Sequence, residues 1–240
     1  MASPRIYILD FDGVYEEQST LKSLASYVFS GNMTGVRYMI LPEKVIEVEK
    51  ILPERPGITF LGDGEFHHLT YLLLRRIRRP FVLIVFDRHL DAKSSEVLSC
   101  DSWLKKALKL KNLIRAVVVG AQKQEKIHRI FFSDPDPEKI LKLSGRYRIY
   151  LSVDKDVLNV GATKWDSGKI CLNELLNVIR SIPKRKILGV DICGEPEPTN
   201  VWRVKMSERV NLSILHALLF DELHHVPGNK YLKGKPAHMT

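Results

Sequence analysis

Short apolar runs rich in branched residues alternate along the chain with segments in which apolar residues recur every three or four positions. The short runs predict strands, and the recurring pattern predicts helices. The predicted strands are Ile6–Phe11, Val36–Leu41, Ile58–Leu61, Phe81–Phe86, Arg115–Val119, His128–Phe132, Arg148–Val153 and Lys186–Val190. The predicted helices are Leu21–Phe29, Glu43–Leu52, His67–Ile77, Asp101–Leu110, Pro137–Leu143, Leu172–Ile182 and a closing helix from Ser207 to about Leu223.

This alternation of strands and helices predicts parallel strands joined by right-handed crossovers, with helices on both faces of the sheet. The expected fold class is therefore α/β, a three-layer αβα arrangement with an eight-stranded, mostly parallel sheet. The length of 240 residues suits a single domain spanning residues 1–240. In such folds, ligands bind beyond the carboxyl ends of the strands.

The run from Phe81 to Phe86 leads directly into Asp87, His89 and Asp91. Alternate side chains of an extended segment share a face, so these three side chains are expected on one side if the strand end stays extended. Two carboxylates and an imidazole beside apolar walls need positive charge, which a divalent cation supplies. A polar loop after a strand accounts for such a motif equally well when it stands alone.

Polar clusters follow other predicted strands as well. They comprise Asp154 and Asp156, then Asp63, Glu65, His67 and His68, and finally Asp191, Glu195 and Glu197. Each cluster by itself is explained by a turn or a helix cap. Their repetition at several strand ends favours one shared site.

The residue types narrow the choice of metal. Carboxylates outnumber imidazoles and no thiolate is expected nearby, which favours Mn²⁺ or Mg²⁺, with catalytic Zn²⁺ or Fe²⁺ still open. The candidate ligands are Asp87, Asp91, Asp154, Asp156, His89 and one of the pair His67 and His68, enough for two ions. The cysteines, Cys100, Cys171 and Cys193, are odd in number and widely spaced, so they are expected to be packing residues.

Taken in order, GD-x₃-HH, FDRHLDA, SVDKDVLN and GVDICGEPEP resemble the motifs of the ureohydrolase superfamily, which includes arginase and agmatinase. The resemblance implies an eight-stranded parallel sheet and two Mn²⁺ ions. It implies that Asp87 and Asp154 bridge the ions, that His89 and Asp156 complete one, and that His67 and Asp91 complete the other. His68 then takes the place of a serine in the first motif.

The same resemblance implies a mechanism. The two ions lower the pKa of a bridging water, and the resulting hydroxide attacks a planar carbon such as that of a guanidinium. Asp91 orients the hydroxide and passes its proton to the departing amine. Glu195 is expected to hold the guanidinium of a small-molecule substrate, with Glu197 as the second choice. Members of the superfamily commonly form trimers or hexamers, so a homo-oligomer is expected.

Several residues depart from the superfamily motifs. Arg88 replaces an alanine beside the proposed ligands, and Asn159 replaces an aspartate at the end of the SVDKDVLN motif. The segment after Gly120 lacks the histidine that shuttles protons in arginases. Neither arginine nor agmatine is therefore assigned as the substrate.

Three alternatives stay open. Asp10 and Asp12 follow a predicted strand and look like the first motif of haloacid-dehalogenase-type phosphatases, although an Asp–Gly turn explains them too. A zinc-dependent deacetylase-like amidohydrolase could use Asp87, His89 and an aspartate of SVDKD. A non-catalytic binding protein on the arginase scaffold is the third.

Charge and hydropathy say little about the reaction, but they bear on possible partners. The net charge of +9 comes from scattered basic groups, the densest being 105–111, 183–186 and 229–236. Few aromatic residues accompany them, so nucleic-acid binding is not expected. No run approaches the roughly 20 apolar residues that span a bilayer, so a cytoplasmic protein with no membrane partner is expected.

Overall fold

The computed structural model describes residues 4–161, 163–164 and 166–220. Within these residues, eight strands pair into one sheet in which every pairing is parallel. They are β1 Ile6–Asp10, β2 Tyr27–Ser30, β4 Ile58–Phe60, β5 Phe81–Phe86, β7 Leu113–Val119, β8 Ile130–Ser133, β9 Arg148–Asp154 and β10 Ile187–Cys193. Their spatial order is β2-β1-β4-β10-β9-β5-β7-β8. A separate antiparallel pair joins β3 Met39–Ile40 to β6 Leu98–Ser99.

The helices are α1 Ser19–Leu24, α2 Val45–Ile51, α3 Leu69–Leu74, α4 Trp103–Ala107, α5 Pro137–Ser144, α6 Leu172–Ser181 and α7 Val201–Leu219. Short 3₁₀ helices span Pro42–Lys44, Gly64–Phe66, Lys155–Val157 and Lys184–Lys186. None of the helices in the described part of the chain is long and apolar enough to cross a bilayer.

A separate apolar core lies on each face of the sheet. In β5, Val82, Ile84 and Phe86 join the core that contains the buried side of α6, whereas the alternate residues face the core that contains α3. Helices α1, α5, α6 and α7 cover the first face, and α2, α3 and α4 cover the second. Because both faces are buried, the central strands are continuous apolar runs, as is usual in parallel sheets. The predicted three-layer fold class is confirmed.

Two element predictions near the N-terminus are wrong. The segment Leu21–Phe29 is not one helix, because α1 ends at Leu24, the backbone turns extended at Ala25, and Tyr27–Ser30 pairs with β1 as an edge strand. The segment Val36–Leu41 is not a strand of the main sheet. Tyr38 has a positive φ of 63°, which interrupts the extended run and leaves only Met39–Ile40 to pair.

Two further boundaries differ near the C-terminus. Strand β10 continues beyond Val190 to Cys193, so Asp191 lies within the strand instead of following it. Helix α7 begins at Val201 and not at Ser207, because the Asn200 side chain accepts a hydrogen bond from the backbone N–H of Arg203 and caps the helix there. The predicted end near Leu223 and the basic segment 229–236 lie outside the described residues.

Candidate metal centre

The central strands β5 and β9 are neighbours, and each delivers an aspartate at its carboxyl end. After each of these strands the backbone turns instead of staying extended. The expectation that alternate side chains share a face of an extended segment is therefore wrong here. Asp87 Oδ1 accepts the backbone N–H of His89 at 2.6 Å, and Asp154 Oδ1 accepts that of Asp156 at 3.1 Å. Asp91 has a left-handed φ of 49°. These turns, and not strand geometry, bring the side chains together.

A first group of side chains surrounds the imidazole of His67. Its Nδ1 lies 3.3 Å from Asp87 Oδ2, 3.3 Å from Asp91 Oδ2 and 3.6 Å from Asp154 Oδ2. His67 reaches this place from the segment between the 3₁₀ helix Gly64–Phe66 and α3. We call His67, Asp87, Asp91 and Asp154 the first ligand group.

A second ligand group consists of Asp87, His89 and Asp156. His89 Nδ1 lies 2.8 Å from Asp156 Oδ2 and 3.7 Å from Asp87 Oδ1. The two oxygens of Asp87 therefore face different groups, as a bridging carboxylate does. Asp154, the other predicted bridge, contacts an imidazole only in the first ligand group, through its Oδ2. The structure thus brings together all six predicted metal ligands, and Asp87 has the placement of a bridge.

The electrostatics of the two groups suit a cation. Burial, with Asp91 and Asp156 close by, raises the pKa of Asp87 well above its usual value, and burial raises the pKa of Asp154 to about 7. Burial lowers the pKa of His67, but Cys193 and the carboxylates outweigh it and raise that pKa well above its usual value. The Asp156 carboxylate, whose Oδ2 lies 2.8 Å from Nδ1 of His89, raises the pKa of His89.

Several buried atoms at the centre lack hydrogen-bond partners among the described residues. They are His67 Nδ1, Asp87 Oδ2 and Asp156 Oδ2. Buried polar atoms in native proteins are nearly always paired, so such atoms need an explanation. All three are possible metal ligands, and they point into the two ligand groups. The residues therefore fit divalent cations.

Outer residues hold His67 in position. The Oγ of Ser152 donates to Asp191 Oδ1 at 2.7 Å and lies 2.9 Å from His67 Nε2, so Ser152 accepts from Nε2–H. Thr70 donates to the same oxygen of Asp191 at 2.9 Å. With Nε2 occupied, Nδ1 is the atom of His67 that remains for a cation.

Trp103 and Cys193 were not among the predicted site residues. The indole Nε1 of Trp103 donates to Asp91 Oδ2 at 2.9 Å, and its ring lies 4.7 Å from that of His67. Cys193 lies beside His67 and Asp154, so a cysteine sulfur is near the site, contrary to expectation, although burial and Asp154 raise the pKa of its thiol well above the usual value. The sequence signal for Cys193 is its spacing of two from Asp191, which places both on one face of an extended strand.

A cavity of about 450 Å³ opens onto the centre. The residues along it include His89, Asp91, Asp154 and Asp156. Charged and polar residues that also line it are Arg88, Lys93, Cys100, Asp101, Gln122, Lys123 and Glu125. The second ligand group is therefore open to a small molecule, since the His89 side chain is 53% exposed whereas that of His67 is 1% exposed.

Arg88 turns its charge away from the ligands. Its guanidinium donates to the carbonyl oxygen of Asp166 at 2.7 Å, and its Nε donates at 2.7 Å to Gln122 once that carboxamide oxygen is turned toward it. Its backbone N–H donates to Asp156 Oδ1 at 3.2 Å. Arg88 thus lines the cavity and supports Asp156 through its backbone.

Glu195 lies in a separate buried cluster. Its carboxylate accepts from Lys155 Nζ and also, at 2.7 Å each, from Gln18, Ser207 and Asn211. The described residues along the cavity do not include Glu195. The structure therefore does not bring Glu195 to the ligand groups, and its predicted contact with a guanidinium has no geometric support.

The second choice, Glu197, is also in an ion pair. Its Oε1 lies 2.8 Å from Lys164 Nζ, which in turn donates to Glu65 Oε1 at 2.6 Å. His68 is fully buried, and burial lowers its pKa to about 3, so it is neutral. None of these residues is among those that line the cavity.

The phosphatase motif is explained by local structure. Asp10 Oδ1 accepts the backbone N–H of Gly13 at 2.8 Å, and Asp12 Oδ1 accepts that of Val14 at 3.3 Å. Asp12 also lies 3.4 Å from Arg37. The first of these bonds closes an Asp–Gly turn, and Gly13 has a φ of 79°.

Comparison with known proteins places this geometry in context. No family model matches the sequence. A protein of Thermotoga maritima, described as uncharacterized, is 63% identical over 240 residues, with both chains covered in full.

Solved structures of similar fold are much more distant in sequence. A hypothetical agmatinase from Burkholderia thailandensis has a TM-score of 0.65 at 17% identity, covering 90% of this chain and 85% of that one. The proclavaminate amidino hydrolase of Streptomyces clavuligerus has a TM-score of 0.67 at 13% identity, with coverages of 90% and 92%. Formimidoylglutamase from Bacillus subtilis has a TM-score of 0.66 at 14% identity, with coverages of 91% and 87%. The chain therefore belongs to the same family as the Thermotoga maritima protein, and its fold is that of the ureohydrolases, the superfamily of arginase and agmatinase.

Proposed function

We propose that this protein is a metal-dependent hydrolase of the ureohydrolase type, which holds two divalent cations and cleaves a carbon–nitrogen bond of a small molecule. The observation that carries the proposal is the position of Asp87, whose two oxygens face two different sets of ligands. One set contains His67 and Asp91, and the other contains His89 and Asp156.

The two ligand groups would hold the two cations, which when bound supply a nucleophile from water at neutral pH and polarise the substrate. In the second group, the carboxylates of Asp87 and Asp156 favour Mn²⁺. The protein itself orients the reacting groups. Trp103 fixes Asp91 through Oδ2, and Asp91 lines the cavity. Asp91 is thus positioned to carry a proton to the departing nitrogen.

The substrate is proposed only as a class. The name of one neighbour, proclavaminate amidino hydrolase, describes hydrolysis of an amidino group. Guanidino, amidino and amide compounds are therefore the substrates to test first. Glu195 is neutralised by Lys155, so the substrate group that reaches this centre would be recognised by the cavity and not by Glu195.

The test combines metal analysis with turnover. Purified protein should contain two divalent ions per chain and should release urea, ammonia or an amine from at least one compound of a panel of guanidines, amidines and amides. Asp87→Asn should lose both the metal and the turnover. Asp134→Asn, which removes an exposed aspartate, is the matched control and should lose neither.

The alternatives give different results in the same assays. A phosphatase would hydrolyse a generic phosphate ester and lose that activity with Asp10→Asn. A single bound zinc with release of acetate would indicate a deacetylase-like enzyme. Bound metal without turnover of any compound would indicate a binding protein, and absence of metal would overturn the proposal.

A further inference from the structure

Cys193 lies close to the candidate metal centre, although it is far in sequence from His67 and Asp154. It is the last residue of β10, and the sheet register pairs it with Asp154 on β9. One ligand atom from each of Cys193, Asp154 and His67 lies within 4.8 Å of the others. The thiol is therefore part of the surroundings of the first ligand group.

A second observation indicates that a cation binds beside Cys193. His67 is 1% exposed, its Nε2 is occupied by Ser152, and its Nδ1 has no hydrogen-bond partner among the described residues. A buried imidazole nitrogen without a partner has to be satisfied by something. The thiol and the carboxylate beside it are groups that bind cations when deprotonated.

The ordinary role of a buried cysteine is that of a small apolar side chain. That role accounts for the complete burial of Cys193, which joins the apolar core on the face of α3. It does not account for the nearby unpartnered nitrogen of His67 or for the carboxylate of Asp154. A role in binding the cation accounts for all three.

We propose that Cys193, as a thiolate, is a ligand of the cation held by the first ligand group, and that it makes this position favour Zn²⁺ over Mn²⁺. Thiolate ligands favour zinc, whereas carboxylate and water ligands suit manganese. When the ion binds, the thiol releases its proton to solvent and a sulfur–metal bond forms. The inference rests on the metal centre of the proposed function and gives its two positions different metal preferences.

Cobalt provides a direct test because a thiolate bound to Co²⁺ gives a sulfur-to-metal charge-transfer band in the near ultraviolet. Full-length, metal-free protein is loaded with Co²⁺ alone, and the spectrum is recorded together with the cobalt content. We expect the band in the wild type and its loss in Cys193→Ser, with cobalt still bound by the remaining ligands.

The other two cysteines supply matched controls. Cys100 lines the cavity, and Cys171 lies at the start of α6. Cys100→Ser and Cys171→Ser should both keep the band. Persistence of the band in Cys193→Ser, or its loss in Cys100→Ser, would overturn the assignment.

Two further measurements remain decisive if Cys193→Ser does not fold. X-ray absorption of zinc-loaded wild type should show a sulfur neighbour at about 2.3 Å. Competition between zinc and manganese should show one zinc-preferring position in the wild type. In Cys193→Ala, a second variant that adds no polar group to the core, that preference should fall by at least about tenfold.

The outcomes separate this inference from the proposed function. Two bound cobalt ions without a charge-transfer band would reject Cys193 as a ligand and leave the dinuclear centre standing. A protein that binds no cobalt, zinc or manganese would reject both.

Discussion

Asp87 connects the two ligand groups at the scale of single residues. Its Oδ2 faces His67, and its Oδ1 faces His89. A group that serves both positions should affect both when it is changed, whereas the carboxylate of Asp156 contacts an imidazole only in the second group. Metal stoichiometry can therefore distinguish the two aspartates.

We predict that Asp87→Asn loses both bound ions and that Asp156→Asn loses one and keeps the other. The amide keeps the shape of the side chain but lacks the negative charge that a divalent cation requires. Metal content by elemental analysis after dialysis checks the prediction. Equal losses in the two variants would contradict the bridging role of Asp87.

Lys155 lies between two predicted ligands in sequence but points into the cluster around Glu195. It is fully buried, and burial lowers its pKa, while Asn211 accepts from its Nζ at 2.9 Å and Glu195 faces it. Breaking a buried ion pair on one side leaves an uncompensated charge, which costs about 3–5 kcal/mol.

We predict that Lys155→Met lowers the free energy of unfolding by about 3–5 kcal/mol, measured by chemical denaturation. Lys93→Met is the matched control because the ion pair of Lys93 with Asp101 is exposed, and it should cost far less than Lys155→Met. Adding Glu195→Gln to Lys155→Met should recover part of the loss, since the unpaired charge is then removed. Equal costs for the two lysines would show that Glu195 does not need this partner.

At the scale of elements, the loop after β7 packs against the turn that carries Asp156. Gly120 has a φ of 99°, and a Cβ added there would overlap Cγ2 of Val157, the residue after Asp156. Gly145, between α5 and β9, also has a positive φ, but a Cβ there would meet nothing within 4 Å. The two glycines therefore separate backbone strain from steric overlap.

We predict that Gly120→Ala lowers the free energy of unfolding more than Gly145→Ala does, and that it alone weakens metal binding. Backbone strain costs about 1–3 kcal/mol at either site, and the overlap with Val157 adds to it only at Gly120. Chemical denaturation and metal titration of both variants check this. Unchanged metal affinity in a folded Gly120→Ala protein would show that the loop does not position Asp156.

The bounds of the buried strand β5 were predictable from the sequence, whereas the exposed edge strand β2 was not. Strand β5 is fully buried and was predicted with the bounds that the structure shows. The edge strand Tyr27–Ser30 is mostly exposed, so its pattern carried no signal of a buried face. Its pairing with β1 decides its conformation, which is a tertiary effect.

The same distinction applies to the centre. The grouping of the six candidate ligands was predictable because each follows a strand or begins a helix in a recognisable motif, and the carboxyl ends of the strands of a parallel sheet lie at one edge. The position of Cys193 beside His67 and Asp154 was not predictable, because it depends on the extension of β10 beyond Val190 and on the register of β10 with β9. The separation of Glu195 from the cavity depends on Gln18, Ser207 and Asn211, which come from distant parts of the chain.

At the scale of the whole molecule, the buried carboxylates that are candidate metal ligands impose a cost on the metal-free fold. Burial raises the pKa values of Asp87 and Asp154, so their ionised forms are unfavourable in the folded protein without a cation. A cation that binds the folded chain and not the unfolded one stabilises it by mass action. Folding and metal binding are therefore expected to be coupled.

We predict that removing metal with a chelator lowers the melting temperature and that adding Zn²⁺ or Mn²⁺ restores it. One ion at a free concentration of 100 times its Kd contributes about 2.7 kcal/mol, which for a chain of this size corresponds to a shift of about 5–10 °C. Thermal unfolding with and without chelator checks this, with Asp87→Asn as the control. That variant lacks the carboxylate that both ions would share, so its melting temperature should be independent of metal. A wild-type melting temperature that ignores both chelator and added metal would mean that the buried carboxylates are stabilised by protons alone, and the dinuclear centre would have to be abandoned.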